Sequence, residues 1–363
     1  VKNLVCHIFL TDSVYTKKFM IFILKHFPKD EHIFFTVDPV LYSDVTNAHV
    51  RKVNPKNFLE AREMVKTLKS ARKIILHSLF NANFFPVLFF NKSLLKRASW
   101  VIWGADAYYN IEKKITARSL KTKIKKYIKK VMLINIIRNL DSVGGLVKGD
   151  YEYVRDLFKT QAQYRYVFYP NPVTFDILDN LEKDDKENRE WKRILVGNSA
   201  SWRNEHVEIL EYLSNIDANF EIICPLSYGD KDYAQNVIKV GQKLFGHRFK
   251  PLTDFLKPEE YSKILNSVDI AIFNHRQQEA LGNVLALLYL GKKVYIRSET
   301  TPWEFFKEKG ITIFDTNKLL DGSEDLFAPM NLDSKNKNRE IIRDEFSEER
   351  CVKLWSALFE AGD

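Results

Sequence analysis

The sequence predicts an α/β protein of two domains, each a Rossmann-like parallel sheet covered by helices, the two facing each other across a cleft. Three observations carry this. The chain has 363 residues, enough for two domains of roughly 150 residues that each bury a core. Short apolar runs alternate with longer segments of helical period, the pattern of a parallel sheet under helices. A charged stretch without apolar periodicity, 179–190, divides that alternation into two series and reads as an exposed connection. The expected boundaries are therefore 1–178 for the first domain, 179–190 for the connection and 191–363 for the second, with the last helix a candidate to pack back on the first domain.

In the first domain strands are expected at 4–9, 32–37, 73–76, 100–103, 142–146 and 166–168, with helical stretches between most of them. The second domain should carry strands at 193–196, 220–224, 268–273 and 293–296, and helices near 204–213, 233–244, 258–266 and 281–290. No internal repeat relates the halves. Ligands of such sheets sit beyond the carboxyl ends of the strands, so the loops there are where function is sought.

Composition narrows the partners. With 45% hydrophobic and 28% charged residues the chain is an ordinary globular protein, but its net charge of +9 suits polyanions, anionic lipids or phosphorylated small molecules. Cys6, Cys224 and Cys351 are odd in number and far apart, with no metal or redox spacing, which fits a reducing compartment. No apolar run reaches the ~18 residues of a membrane span. The opening residues read as a short strand and not as a signal peptide, so the chain is not expected to cross a membrane by itself.

The loop Gly197-Asn198-Ser199-Ala200-Ser201 follows the first strand of the second domain and leads through Asn204, Glu205 and His206 into a helix. It is either a polar mouth at the sheet edge or a plain Ser/Asn turn capping that helix. Asn274 to Asn283 is more specific: Arg276, Gln277, Gln278 and Gly282 lie between a strand and a strongly apolar helix. A helix N-terminus offers N–H groups and partial positive charge, Gly282 permits close backbone approach and Arg276 adds a cation, which together suit a pyrophosphate. The plainer reading is a surface loop with a solvated arginine. Neither a G-x-G-x-x-G nor a Walker motif is present, which argues against a dinucleotide dehydrogenase and a P-loop NTPase.

In the first domain Asp12, His77 and Asp106 each fall in a loop at an expected strand end. They are the candidates to take a proton from an acceptor hydroxyl, against helix-capping or packing roles. Asp230-Lys231-Asp232 has the bare form of a metal-binding Asp-x-Asp pair, but it directly precedes a helix and fits an N-terminal cap better. The eight histidines show no zinc spacing. No metal and no other cofactor is expected.

Residues 113–138 carry Lys113, Lys114, Arg118, Lys121, Lys123, Lys125, Lys126, Lys129, Lys130 and Arg138 with no acidic residue among them. Leu120, Ile124, Tyr127, Ile128, Val131 and Ile134 recur at helical spacing, a greasy face beside a cationic one. Lys121, Lys125, Lys126, Lys129 and Lys130 would meet an anionic membrane surface. Alternatively, the apolar stripe docks on the protein's own sheet and the lysines stay in water. Nucleic acid is a further competitor, though no known recognition motif flanks the run and none is expected to bind.

Several of these segments resemble one family. Ile102-Trp103-Gly104-Ala105-Asp106, Leu195-Val196-Gly197-Asn198-Ser199 continuing to Asn204-Glu205-His206, Arg276-Gln277-Gln278, and Pro302-Trp303 are similar to the TDP-N-acetylfucosamine:lipid II N-acetylfucosaminyltransferases, glycosyltransferase family 56, in order and approximate spacing. The resemblance spans most of the chain. It implies a GT-B fold, a nucleotide-diphosphate sugar held mainly by the second domain, and transfer of 4-acetamido-4,6-dideoxy-D-galactose to an undecaprenyl-diphosphate-linked saccharide, as in enterobacterial common antigen assembly. It also implies a peripheral enzyme at the cytoplasmic face of the bacterial inner membrane, working without a metal. On this reading Gly197, Asn198, Ser199, Asn204, Glu205, Tyr228, Arg276, Gln277, Gln278 and Gly282 hold the donor, and Arg276 stabilises the departing diphosphate. The family pattern has a glycine after Arg-Gln-Gln where this chain has Glu279 and Ala280, and a glycine-containing loop where His77 is followed by Ser-Leu-Phe-Asn. A GT-B enzyme using another nucleotide sugar, for O-antigen or capsule synthesis, stays open.

Overall fold

The computed structural model describes residues 3–9, 14–37, 45, 49–104, 106–108, 119–171, 173–181 and 191–361. The chain forms two compact units, one of Val1–Pro170 with Glu348–Asp363 and one of Asn171–Ser347. The first unit thus ends at Pro170, earlier than position 178, and Asn171 already belongs to the second. Most of the expected connection, 182–190, lies outside the described residues.

In the first unit strands β1 (Val5–Phe9), β2 (His32–Thr36), β3 (Val50–Lys52), β4 (Lys73–His77), β5 (Ala98–Val101), β6 (Ser142–Gly145) and β7 (Gln163–Tyr166) pair in the order β3-β2-β1-β4-β5-β6-β7. Every pairing is parallel. Between the strands run α1 (Val14–His26), α2 (Phe58–Ser70), α3 (Phe85–Phe90), α4 (Leu120–Asn139) and α5 (Lys148–Phe158). All five residues of β1 and of β4 are buried. Strands covered on both faces must be apolar almost throughout, and for that reason they stand out in sequence as unbroken runs.

The second unit repeats the plan. After the short α6 (Phe175–Asp179) come β8 (Lys192–Val196), α7 (His206–Ser214), β9 (Phe220–Pro225), α8 (Lys231–Phe245), β10 (Phe249–Leu252), α9 (Pro258–Ser267), β11 (Ile270–Phe273), α10 (Leu281–Tyr289), β12 (Lys293–Ile296), α11 (Thr301–Glu308), β13 (Phe314–Asp315), α12 (Thr316–Leu320) and α13 (Leu332–Glu345). The sheet order is β10-β9-β8-β11-β12-β13, again all parallel. Each sheet reverses its winding once, between β1 and β4 and between β8 and β11, and ligands of open α/β sheets collect beyond the carboxyl ends of the strands at such a point.

The last helix, α14 (Glu348–Glu360), belongs to the first unit. Trp355 on it is fully buried against Phe19 and Tyr169 and donates its indole N–H to the Phe168 carbonyl at 2.9 Å. The chain just past the helix accepts a hydrogen bond from buried Lys73, whose Nζ meets the Ala361 carbonyl at 2.9 Å and Asp141 at 2.7 Å. Among the described residues no helix is long and apolar enough to cross a membrane.

Three strands were not expected from the sequence, β3, β10 and β13, and a fourth, sought at 166–168, lies at Gln163–Tyr166. These four are the edges of the two sheets. Edge strands pair on one side only and face water on the other, so Val50–Lys52 and Gln163–Tyr166 carry charged and polar residues and lose the apolar signal.

Candidate active site

Loops at the reversal point of the second sheet gather most of the expected donor-binding residues. Register carries the chain there in step: Ile272 pairs with Val196 and Phe273 with Ile296, so Gly197, Asn274 and Arg297 leave neighbouring strands at the same edge. Gly197 has φ +70, and a Cβ on it would lie 2.3 Å from His206 Nε2 and 2.7 Å from Asn204 Oδ1. Only glycine fits that turn. The Asn198 amide donates to Asn204 Oδ1 at 2.9 Å, and the Asn198 side chain donates to the Tyr228 hydroxyl at 2.9 Å. Asn204 in turn donates to Ser199 Oγ at 3.3 Å.

His275 closes this network from the other side. Its Nε2 lies 3.0 Å from Asn198 Oδ1 and 2.8 Å from Asn204 Oδ1. Two carbonyl oxygens facing one nitrogen require that Nε2 carry the proton. Burial, followed by the nearby His206, pushes the imidazole down to about 3, so it stays neutral and acts as a fixed donor.

A charged cluster flanks it. Arg276 is 60% exposed and donates from Nε to Glu205 Oε1 at 2.9 Å. Arg297, 4% exposed, reaches Glu205 Oε2 at 3.3 Å and Glu208 Oε2 at 2.8 Å through one amino group and Asn317 Oδ1 at 2.8 Å through the other, while its Nε donates to the Asn274 carbonyl at 3.2 Å. Glu208 also accepts from the Asn274 side chain at 2.7 Å. The buried guanidinium, whose second amino group also lies 3.4 Å from Glu299 Oε1, thus sets three carboxylates, of which Glu205 and Glu299 also contact Arg276. Arg297 was not singled out in sequence; its one signal is a cation placed immediately after a strand that is buried throughout.

Backbone strain concentrates at the same edge. Glu205 (φ +47) and Ala280 (φ +59), at the starts of α7 and α10, are non-glycine residues in the left-handed region, which costs energy that the surroundings must supply. Gly282 lies in the first turn of α10, its carbonyl accepting from Asn171 at 3.0 Å, and Gln277 is buried with its amide on Glu279 at 3.1 Å. Asn274 Oδ1, Gln278 Oε1 and His206 Nε2 are buried without a hydrogen-bond partner among the described residues. Each of these atoms keeps capacity for a further hydrogen bond.

The first unit treats its candidates differently. His77 is fully buried, with Nε2 3.0 Å from His7 Nδ1 and Nδ1 2.6 Å from the Tyr169 hydroxyl, and it stacks on Phe9. His7 continues the chain to His32 at 3.0 Å, and burial holds His7 and His77 well below the usual histidine range. Asp106 is also fully buried and accepts from the Leu79 and Trp103 amides at 3.2 and 2.8 Å and from the Trp100 indole at 2.8 Å. Burial outweighs those donors and pushes its carboxyl up to about 6. Both residues brace the loops beyond β4 and β5; neither presents a free polar atom to an acceptor, contrary to the expectation of a proton-taking role. Asp12 lies outside the described residues. Beside His77, Ser78 has φ +76 and a buried Oγ with no partner among the described residues.

Asp230 caps α8, accepting from the Asp232 and Tyr233 amides at 2.9 Å each. Among the described residues no group of three or more His, Cys, Asp or Glu is placed to hold a metal ion.

The sequence model of the family described as 4-alpha-L-fucosyltransferase, glycosyl transferase group 56, matches residues 15–338. The chain belongs to this family. The match takes in every loop of the cluster, so the Gly197, Asn204, Arg276 and Arg297 geometry lies within the family 56 glycosyltransferase domain. Among solved structures, this glycosyltransferase is similar to one from Rickettsia africae, with 15% identity and a TM-score of 0.70 over 99% of this chain and 98% of the other. It is similar also to HepE of Anabaena in complex with UDP and glucose, with 11% identity and a TM-score of 0.64 over 97% and 98%. The trehalose 6-phosphate synthase of Burkholderia multivorans matches with 9% identity and a TM-score of 0.66 over 99% of each chain. At such identities the likeness is one of fold: the family 56 enzyme has the two parallel-sheet α/β domains of GT-B glycosyltransferases.

Proposed function

We propose that this glycosyltransferase binds TDP-linked 4-acetamido-4,6-dideoxy-D-galactose at the reversal point of the second sheet and transfers the sugar to an undecaprenyl-diphosphate-linked saccharide at the cytoplasmic face of the bacterial inner membrane. The observation that supports this best is Arg276, largely exposed yet anchored through Nε by Glu205, on the loop that leads into α10. Its terminal amino groups and the N-terminal turn of α10 meet the diphosphate. Asn198, Ser199, Tyr228, Gln277 and Gln278 supply the polar contacts around it. In transfer, the acceptor hydroxyl oxygen bonds to the anomeric carbon as that carbon's bond to the phosphate oxygen breaks. The electron pair leaves with the nucleoside diphosphate, where Arg276 stabilises it, and the hydroxyl proton passes to a base on the acceptor side, with Asp12 as the candidate read from the sequence.

Thermal unfolding with TDP, UDP, GDP and ADP tests the donor. A ligand at a hundred times its dissociation constant adds about 2.7 kcal/mol of stability, and TDP should give the largest shift. A larger shift with UDP would favour the second reading, an O-antigen or capsule enzyme with a UDP-sugar, for which the UDP complex of HepE is the supporting observation. No shift with any nucleotide would overturn both. In this reading no divalent cation takes part, so EDTA should leave turnover unchanged.

A further inference from the structure

α4 is built of two halves whose apolar faces point in opposite directions. In the second half Leu133, Ile136 and Ile137 are buried, and the helix packs there on the first unit. At about 100° per residue, the apolar residues of the first half, Leu120, Ile124, Tyr127, Ile128 and Val131, fall on a single stripe roughly 180° away. Continued into the first half, the packed face reads Thr122, Lys125, Lys126 and Lys129. The stripe is therefore not the face by which the helix docks on its own domain. It is exposed along its length: Leu120 73%, Ile124 52%, Tyr127 62%, Ile128 47% and Val131 42%. Lys121 borders it on one side and Lys123 and Lys130 on the other, all exposed, and no acidic residue occurs between 119 and 140.

We propose that the first three turns of α4, residues 120–131, are an interfacial membrane-docking element, with the stripe lying in the headgroup region of an anionic bilayer and the second half serving as its mount. The stretch is about 18 Å long, too short and too basic to span a bilayer, and a strong apolar moment framed by lysines is what lies flat in an interface. Charge decides the occupant. A second copy of the chain would bring the same lysines against these, whereas anionic headgroups neutralise them. The remaining basic positions sought in sequence, Lys113, Lys114 and Arg118, lie outside the described residues. This docking rests on the proposed lipid-linked acceptor for its purpose, but its test does not.

The full chain should float with vesicles of phosphatidylglycerol and phosphatidylcholine and stay behind with phosphatidylcholine alone. Each lysine near an anionic surface is worth roughly a fivefold change in partitioning. The triple change K121Q, K123Q, K130Q should thus weaken binding about a hundredfold, while K56Q, K66Q, K69Q, on and just before α2, should not. Ile124→Ser with Ile128→Ser should also release the protein, because the stripe inserts. Flotation retained by that pair, equal loss in the α2 control, or light scattering that shows a dimer broken by the α4 changes would each overturn the proposal. All variants should keep nucleotide protection and activity on a short-chain soluble acceptor. Failure of nucleotide protection in the unaltered chain would instead overturn the donor reading and leave the docking intact.

Discussion

At the carboxyl end of β4 in the first unit His77 has both ring nitrogens occupied, by His7 and Tyr169, and Asp106 is sealed under three N–H donors. At the carboxyl end of β11 in the second unit the polar groups are also buried, but Asn274 Oδ1 and Gln278 Oε1 end without partners among the described residues, and an arginine stands 60% exposed on a carboxylate anchor. Apart from the extra edge strand β7 of the first unit, the two sheets share one strand order, so the contrast comes from side chains and not from topology. Spare bonding capacity does not by itself separate the two, since Ser78 Oγ beside His77 is also buried without a partner among the described residues; the exposed arginine on its carboxylate anchor does. Where bonding capacity is consumed internally, the same residue types hold loops together.

That contrast can be broken. Arg276→Ala should cost a hundredfold to a thousandfold in turnover, about 2.7–4 kcal/mol in the barrier, with little loss of stability because the side chain is largely exposed. Near-normal turnover would remove the second unit's claim to the chemistry. Arg297→Ala should instead act on the fold, lowering the free energy of unfolding by about 1–3 kcal/mol because the Asn274 carbonyl and Asn317 lose a buried donor. A urea titration checks this, and Arg297→Lys should recover only part, since a single ammonium cannot span Glu205, Glu208 and Asn317.

The remaining two predictions sharpen the comparison through pH. The Asp106 carboxyl is raised to about 6 in the fold from 3.8. Its proton is therefore held by the folded chain and lost by the unfolded one between those values, and stability from this group falls as pH rises through that window. The total is up to about 3 kcal/mol. The difference in stability between wild type and Asp106→Asn should drop by that amount between pH 4 and 7, and a flat difference would contradict the burial argument. His275 has the opposite sign. Its folded form is neutral down to about 3, so its contribution is full above an unfolded value near 6.5 and is lost as pH falls, about 2 kcal/mol by pH 5. His275→Gln, which keeps an N–H for the Asn198 and Asn204 oxygens, should lose less stability on acidification than wild type.

Much of this was legible in the residues. Each central strand is apolar because it is covered on both faces, and that constraint is written locally, as in Val5–Phe9 and Ile270–Phe273. The Gly197 loop and the Arg276 loop were legible from local signals of the same kind: small polar residues between a strand end and a helix start, and a cation leading into a helix start. The edge strands were not found, because one-sided pairing imposes no apolar pattern on three or four residues. Arg297 escaped because its meaning lies in partners as far as 92 residues away.

By itself, then, the sequence determined the two-domain α/β plan, the family and the loops that line the second sheet's reversal point. Only the tertiary structure decided which polar residues have capacity to spare, that Arg297 underlies the Arg276 anchor, and that the stripe on the first half of α4 faces away from its own domain. The physical reason is range. Periodicity and turn chemistry act between residues a few positions apart, whereas hydrogen-bond satisfaction and the outward or inward sense of a helix face are settled by neighbours that folding brings from far along the chain.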